Sequence, residues 1–341
     1  MTWVVWRQYR LQWAIALALL AAFAVVELLT GQQLARAWHN LLTTCTATPQ
    51  NGPGSSCSNA QIIGILGNDM RVLSILVPLI LGVLWGAPLV AHEIEAGTTN
   101  FAWTQGITRR HWLLVKVGWL LLSAALWAGA VSALVTWWSG PVNAMQGDSF
   151  GTDFFDTQGI VPIGYAVFAT ALGIAAGVLL RRTLPAIAVT IGSFIGVRLF
   201  FDVVVRQHLM PAVTTITGLT SSWSPPGIAW ILGTTIINGS GQVVTGSSSA
   251  GAGITSLGID GVSVSTLPAA CQKLAIAAAS PSGPSPAGTL ACMSRYGFRQ
   301  VIAYQPAWRY WPFQGIETGV YLLLAVALLA VTWYAIHRRD A

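Results

Sequence analysis

The side chains that could do chemistry are few, and their spacing narrows what that chemistry could be. Four cysteines stand as two distant pairs, Cys45 with Cys57 and Cys271 with Cys292. Their intervals are longer than zinc sites use, and no histidine lies within either pair. His39, His92, His111, His208 and His337 are scattered, so no metal site is expected. The chain has only two lysines: Lys116 follows Val115, and Lys273 follows Gln272. A phosphate-binding P-loop needs its lysine after a glycine, so that the ammonium group reaches the β- and γ-phosphates. No such motif is present, and no catalytic residue is assigned. No Ser-His pair, paired acids or histidine-rich group falls at depth within an apolar run, which argues against an intramembrane enzyme.

Carboxylates offer one informative position. The segment HEIEAGTTNFAWTQGITRRHWLLVK, residues 92–116, places Glu93 and Glu95 ahead of Gly97-Thr98, then an apolar stretch with Phe101, Trp103 and Ile107. Thr108 stands where a helix N-cap would, with Arg109 and Arg110 behind it. A plain connecting loop explains the arginines but not two glutamates and buried-type side chains so close to a membrane. Such a segment suits a short helix docked on a partner or on lipid.

These residues are positioned by apolar runs. Of 341 residues 54% are hydrophobic and 8% charged, far below the roughly 25% charged content of soluble domains. Six runs reach bilayer length, near 11–29, 72–91, 112–138, 160–180, 184–205 and 316–336. The expected fold is an all-α polytopic membrane protein with six transmembrane helices and a large external segment between spans five and six. Its expected parts are 1–205, 206–315 and 316–341. The first run is too long for a cleaved signal peptide and reads as a retained span.

Arginines cluster beside the runs, at Arg7 and Arg10, Arg109 and Arg110, Arg181 and Arg182, and Arg338 and Arg339. The positive-inside rule then puts both termini in the cytoplasm of a multi-pass inner (plasma) membrane protein. Clusters of this kind form no stripe, so the net charge of +6 does not indicate nucleic acid. Both cysteine pairs fall outside on this topology, where oxidising conditions favour disulfides. Three connectivities are open, pairing within each segment being the simplest. Segment 206–315 reads either as a small domain or as a disordered loop. Asn238-Gly239 after an apolar run favours a hairpin there, and residues 280–288 read as a loop.

Trp3, Trp6, Arg7, Tyr9, Arg10 and Trp13 interleave rings and guanidinium groups, as at a lipid headgroup interface. Tyr304, Trp308, Tyr310, Trp311 and Phe313 read as an outer aromatic belt. Glu27, Arg198, Asp202 and Glu317 fall near outer span ends, within reach of water or headgroups, and Arg198 and Asp202 are spaced to pair. Gly173 and Gly177 form a small-xxx-small pair suited to close helix packing.

The pattern Glu-x-Glu-x-Gly-Thr, followed by Thr-Arg and a lysine just inside the next span, resembles the ABC transporter type-2 export permeases. The matching positions are Glu93, Glu95, Gly97, Thr98, Thr108, Arg109 and Lys116; Gly106-Ile107 stands where the family often has proline. The resemblance implies that 92–111 is a coupling helix meeting an ABC ATPase subunit. It also implies that Trp3, Trp6, Arg7 and Arg10 belong to an N-terminal interface helix beside that subunit. ATP and Mg would be bound by the partner, with no cofactor in this chain. A second permease copy or a homologous permease would complete the pathway in the lipid bilayer. A non-transporting membrane subunit with an external recognition or signalling domain is the alternative.

Overall fold

A computed structural model of the chain describes residues 2–45, 74–88, 109–140, 150, 155–220, 229–247, 267–278 and 287–338. The chain divides into two compact units. The first comprises Met1–Gln146, Gly151–Arg206 and Trp311–Ala341, and the second comprises Gly147–Phe150 and Gln207–Tyr310.

The first unit is helical. Helix α1 (Thr2–Cys45) runs without a break through the expected first span, whose apolar window is Ala16–Gln33. At 1.5 Å per residue it is about 66 Å long, roughly twice the hydrocarbon thickness. Helix α2 is described over Ser74–Gly86 and closes in a wide turn, Gly82–Gly86. Helix α3 (Arg109–Trp138), α4 (Val161–Leu180), α5 (Thr183–Phe200) and α8 (Tyr310–Arg338) follow the remaining apolar runs. Among the described residues five helices are long and apolar enough to cross a membrane. The span expected at 72–91 is not one of them over its described length, so a sixth crossing is not established by length and composition.

Side-chain chemistry sets the helix ends. Pro162 sits in the first turn of α4, where its missing N–H costs nothing. Arg181 ends that helix in the left-handed conformation, φ 53°, with its N–H on the Gly177 carbonyl at 3.0 Å. Arg182 is extended and α5 starts at once, so two arginines make the whole reversal. α8 begins about six residues before the expected start of span six, which makes Tyr310, Trp311 and Phe313 part of its first turns.

α4 is the axis of the unit and is buried along most of its length. It meets α2 backbone to backbone. A Cβ on Gly82 would lie 2.7 Å from the Ala169 carbonyl oxygen, and one on Gly173 would lie 2.6 Å from the Gly82 oxygen. Beside this contact Trp13, Trp85 and Trp127 pack together, with centroids 5.7–6.4 Å apart, on Leu81, Leu120, Ala124 and Ile174. The outer faces stay apolar: Leu19, Leu114, Leu184 and Leu323 are each more than 60% exposed. An apolar exterior over a packed interior is what lipid requires.

The second unit is not helical throughout, and the all-α expectation fails there. Strands β1 (Val213–Gly218), β2 (Trp230–Ile237), β3 (Val243–Ser247) and β4 (Arg299–Gln305) form an antiparallel sheet in the order β1-β4-β2-β3. The β2–β3 connection is the expected hairpin, with a modified turn. Asn238 Oδ1 accepts the Ser240 and Gln242 N–H groups at 3.1 and 2.8 Å, and Gly241 rather than Gly239 takes a positive φ, +82°. Helices α6 (Ala269–Ala278) and α7 (Ala287–Arg295) are joined by the Cys271–Cys292 disulfide, Cα–Cα 5.7 Å. Cys271 and Met293 are fully buried with Leu219, Ile236, Leu267 and Phe298. Local pairing therefore holds for the second cysteine pair.

Candidate functional site

Five ionisable side chains and a tyrosine meet inside the first unit, between α4, α5 and α8. Asp156 comes from the turn before α4, Tyr165 from α4, Arg198 from α5, and Glu317 from the second turn of α8. Asp202 and Arg206 come from the continuation of α5. That continuation is a wide turn, Phe201–Val205, followed by a tight one, Arg206–His208. The Arg206 N–H reaches back to the Phe201 carbonyl, the i to i−5 bond of a π turn. Such an insertion rotates the following side chains and is common where function needs a side chain re-aimed. Here it turns Arg206 inward, leaving it 1% exposed.

Arg206 is the hub. Its Nε donates to Glu317 Oε2 at 3.0 Å, and its Nη2 donates to Glu317 Oε1 at 2.9 Å. Nη1 donates to Asp202 Oδ1 at 2.7 Å, and Nη2 also meets Asp156 Oδ1. Arg198 pairs with the other Asp156 oxygen, Oδ2. The Tyr165 hydroxyl lies between two acids, 2.9 Å from Asp156 Oδ1 and in direct contact with Glu317 Oε1. Aromatic rings wall the group. The Arg206 guanidinium lies over Phe155 at 4.5 Å and that of Arg198 over Tyr165 at 4.2 Å, while Tyr321 packs edge-on to Tyr165 at 4.7 Å.

The turn carrying Asp156 is pinned from two sides. Gln314 on α8 accepts the Ile160 and Val161 N–H groups through Oε1, at 3.0 and 2.9 Å, and its Nε2 donates to the Phe155 carbonyl at 3.0 Å. It does for α4 what an N-cap side chain does elsewhere, since Ile160 offers none. From α3 the Ser132 hydroxyl donates to the Gly159 carbonyl at 2.7 Å. Gly159 has φ +72°, and a Cβ there would stand 2.7 Å from Gln314 Oε1, so only glycine fits.

This arrangement corrects the sequence reading of the span-end charges. Glu317 and Glu27 are fully buried instead of reaching water or headgroups. Arg198 pairs with Asp156, not Asp202; Asp202 pairs with Arg206. Nor do all the residues of the expected aromatic belt face outward. Trp308 and Trp311 are 70% and 61% exposed, whereas Tyr304 and Phe313 are buried. Asp156, Tyr165 and Arg206 were not singled out from the sequence. Arg198, Asp202 and Arg206 at intervals of four were the available signal.

The residues expected to couple to a partner fall mostly outside the described residues. Glu93, Glu95, Gly97, Thr98 and Thr108 lie outside the described residues, and Arg109 is the first residue of α3. Lys116, about two turns further on, is buried on that helix. Trp3, Trp6, Arg7 and Arg10 are in the opening turns of α1, and their side chains lie outside the described set. Cys45 ends α1, and Cys57 lies outside the described residues. Among the described residues no group of His, Cys, Asp or Glu is arranged to hold a metal.

One family model matches the chain: that of the ABC-2 membrane transporter related proteins, over residues 17–206. No curated protein and no solved structure matches.

Proposed function

Because the chain belongs to the ABC-2 membrane transporter related family, we propose that it is the membrane-spanning permease subunit of an ATP-driven exporter. The observation that carries this reading is the overlap of the family match with the apolar helices. Residues 17–206 take in α1 from its apolar window onward and α2 through α5, and α8 adds a further apolar helix of spanning length. ATP hydrolysis belongs to a separate ABC ATPase subunit, since neither Lys116 nor Lys273 follows a glycine. Two permeases, identical or homologous, form the pathway between them.

In this reading the segment 92–111 is the coupling element, with Glu93, Glu95, Gly97, Thr98, Thr108 and Arg109 toward the ATPase. Trp3, Trp6, Arg7 and Arg10 lie alongside at the cytoplasmic headgroups. ATP binding closes the ATPase pair, and the coupling element passes that movement to α2 and α3. The α2–α4 glycine contact then carries it to α4, and the charge cluster ties α4 to α5 and α8 so that the three move together. Cargo is driven only if its affinity differs between the two states.

Purification of the tagged chain from its native membranes tests the reading. A P-loop ATPase is expected to come down with the wild type and to be depleted about tenfold with Glu93→Gln/Glu95→Gln, one lost factor of ten being about 1.4 kcal/mol of contact. Recovery of no ATPase with the wild type, or full recovery with the double variant, counts against it.

A further inference from the structure

Asn238 and Gly239 open the turn of the β2–β3 hairpin, and the hydrogen bonds there treat the two residues differently. Asn238 Oδ1 accepts three hydrogens: the Ser240 N–H at 3.1 Å, the Ser240 hydroxyl at 2.7 Å and the Gln242 N–H at 2.8 Å. Its Nδ2 makes only a long contact, 3.3 Å to Gln242 Oε1. The backbone on either side is paired, with the Asn238 N–H on the Gln242 carbonyl at 3.0 Å and the Gly241 N–H on the Asn238 carbonyl at 2.9 Å. The Gly239 N–H is the exception. It has no partner among the described residues, and Gly239 is exposed. A free amide therefore stands next to a carboxamide whose oxygen is gripped and whose nitrogen is loosely held.

We infer that Asn238 is a site of spontaneous covalent modification, converting to aspartate or isoaspartate with water as the co-reactant. Hydroxide takes the Gly239 N–H proton, and that nitrogen bonds to Asn238 Cγ. A succinimide ring closes as the Cγ–Nδ2 bond breaks, and Nδ2 takes a proton from water and leaves as ammonia. Water then opens the ring. Opening at Cγ gives aspartate with the backbone unchanged, and opening at the main-chain carbonyl gives isoaspartate with the chain routed through Cβ. The sum is carboxamide and water to carboxylate and ammonium, with nothing oxidised or reduced. Negative charge develops on Oδ1 in the first step, where three donors already point, and donors so placed stabilise an oxyanion. Nucleophile and carbonyl are neighbours in the chain, so closure needs no encounter, and glycine brings no Cβ to obstruct it.

The folded turn also accepts the aspartate product. A carboxylate oxygen keeps all three donors, and only the 3.3 Å contact of Nδ2 is lost. Neighbouring charge favours it as well. The hairpin turn lies on the α7–β4 turn, where a Cβ on Gly239 would stand 3.5 Å from the Tyr296 carbonyl oxygen. Arg295 and Arg299, both exposed, flank that second turn, and Arg299 pairs across the sheet with Ile237, the residue before Asn238. The described residues of this unit include Lys273, Arg295, Arg299 and Arg309 but no Asp or Glu. Conversion thus places an acid on a basic surface. Isoaspartate instead adds a backbone atom inside the turn and costs the Asn238–Gln242 pairing its register. Either product marks the age of the chain, whether or not the chain transports anything.

The full chain in lipid nanodiscs, warmed at mildly alkaline pH in heavy-oxygen water, tests this without any variant. Digestion and mass spectrometry follow the peptide that contains Asn238, and the oxygen label separates conversion in the folded protein from conversion during digestion. The reference is a synthetic peptide of residues 235–244, which has the same dipeptide but does not hold the three donors in place. The folded chain is expected to convert at least as fast as the peptide. Slower conversion in the folded chain means that the turn protects Asn238, and overturns the inference. Ser240→Ala removes the hydroxyl donor. It is expected to slow the folded chain about fivefold, the rate equivalent of about 1 kcal/mol, and to leave the peptide unchanged. Equal rates in the wild-type and Ser240→Ala chains would show that the donors take no part, which also overturns it.

Discussion

Arg206 concentrates the residue-scale argument, because one side chain serves three acids from three places in the sequence. It is among the largest fully buried side chains of the chain, and taking a guanidinium out of water is affordable only while its donors are met. Removing it leaves Asp156, Asp202 and Glu317 facing one another with Arg198 alone as counter-charge. Arg206→Met is therefore expected to cost about 3–5 kcal/mol, the usual loss when one partner of a buried pair is deleted. Arg206→Lys should lie between that variant and the wild type, since a point charge cannot meet both oxygens of Glu317 from Nε and Nη2 as the planar fork does. Thermal unfolding in nanodiscs checks the order; equal melting of wild type and Arg206→Met would show that the cluster holds nothing together. Gln314 makes a milder case. Its carboxamide satisfies two N–H groups and one carbonyl of the turn under Asp156, so Gln314→Leu is expected to cost about 1–3 kcal/mol through the groups it strands.

Helices pack here through what their side chains leave out. At Gly173 an added methyl would meet backbone on three sides, Gly82 O at 2.6 Å, Ala87 N at 2.7 Å and Gly86 C at 2.9 Å, and backbone cannot rotate away as a side chain can. At Gly192, on α5, nothing lies within 4 Å of the same methyl. Gly173→Ala should therefore push α2 off α4 and lower the melting temperature, while Gly192→Ala should be neutral or gain about 0.5–1 kcal/mol from helix propensity. If both variants melt alike, close approach is not what holds α2 to α4. The Gly173-Gly177 spacing was legible in the sequence as a packing face, as were the apolar runs and the Asn238 turn, because each is a local pattern with one physical meaning. The cluster was not legible to the same degree. Tyr165 and Glu317 are 152 residues apart, and Asp156 and Arg206 are 50 apart, so no window contains the pairing. The π turn that aims Arg206 has no sequence signature of its own, and an apolar run reads the same with or without it. Arg198 and Asp202 illustrate the trap: their spacing invites a pair, but burial sends each to a partner that spacing alone could not weigh.

For the molecule as a whole the open quantity is the number of crossings, since it decides which faces of the membrane the two ends occupy. Five described helices have the length and composition to span, an odd number that would put the termini on opposite sides. The described part of α2, Ser74–Gly86, is about 20 Å long, short of the roughly 30 Å hydrocarbon core. Its packing argues for a crossing nonetheless. Gly82 and Gly86 contact α4 at Ala169, Thr170 and Gly173, about midway along a helix that runs from Val161 to Leu180. If α4 crosses, a helix pressed backbone to backbone on its middle would lie at the depth of the bilayer centre, where Leu84, 57% exposed, would suit lipid. Its sequence continues as Ala87-Pro88-Leu89-Val90-Ala91 with no charge before His92. Six crossings would return both termini to one face, which the positive-inside rule makes the arginine-rich one. Reporter fusions that report only from the cytoplasm, placed at Met1 and at Ala341, are expected to be active at both ends. A cysteine at the β2–β3 turn, Ser240→Cys in a chain whose other cysteines are replaced, should react with a membrane-impermeant thiol reagent added to intact cells. Activity at Met1 alone would make α2 a helix that enters without crossing, and would place 92–111 on the side of the membrane where no ATPase could reach Glu93 and Glu95.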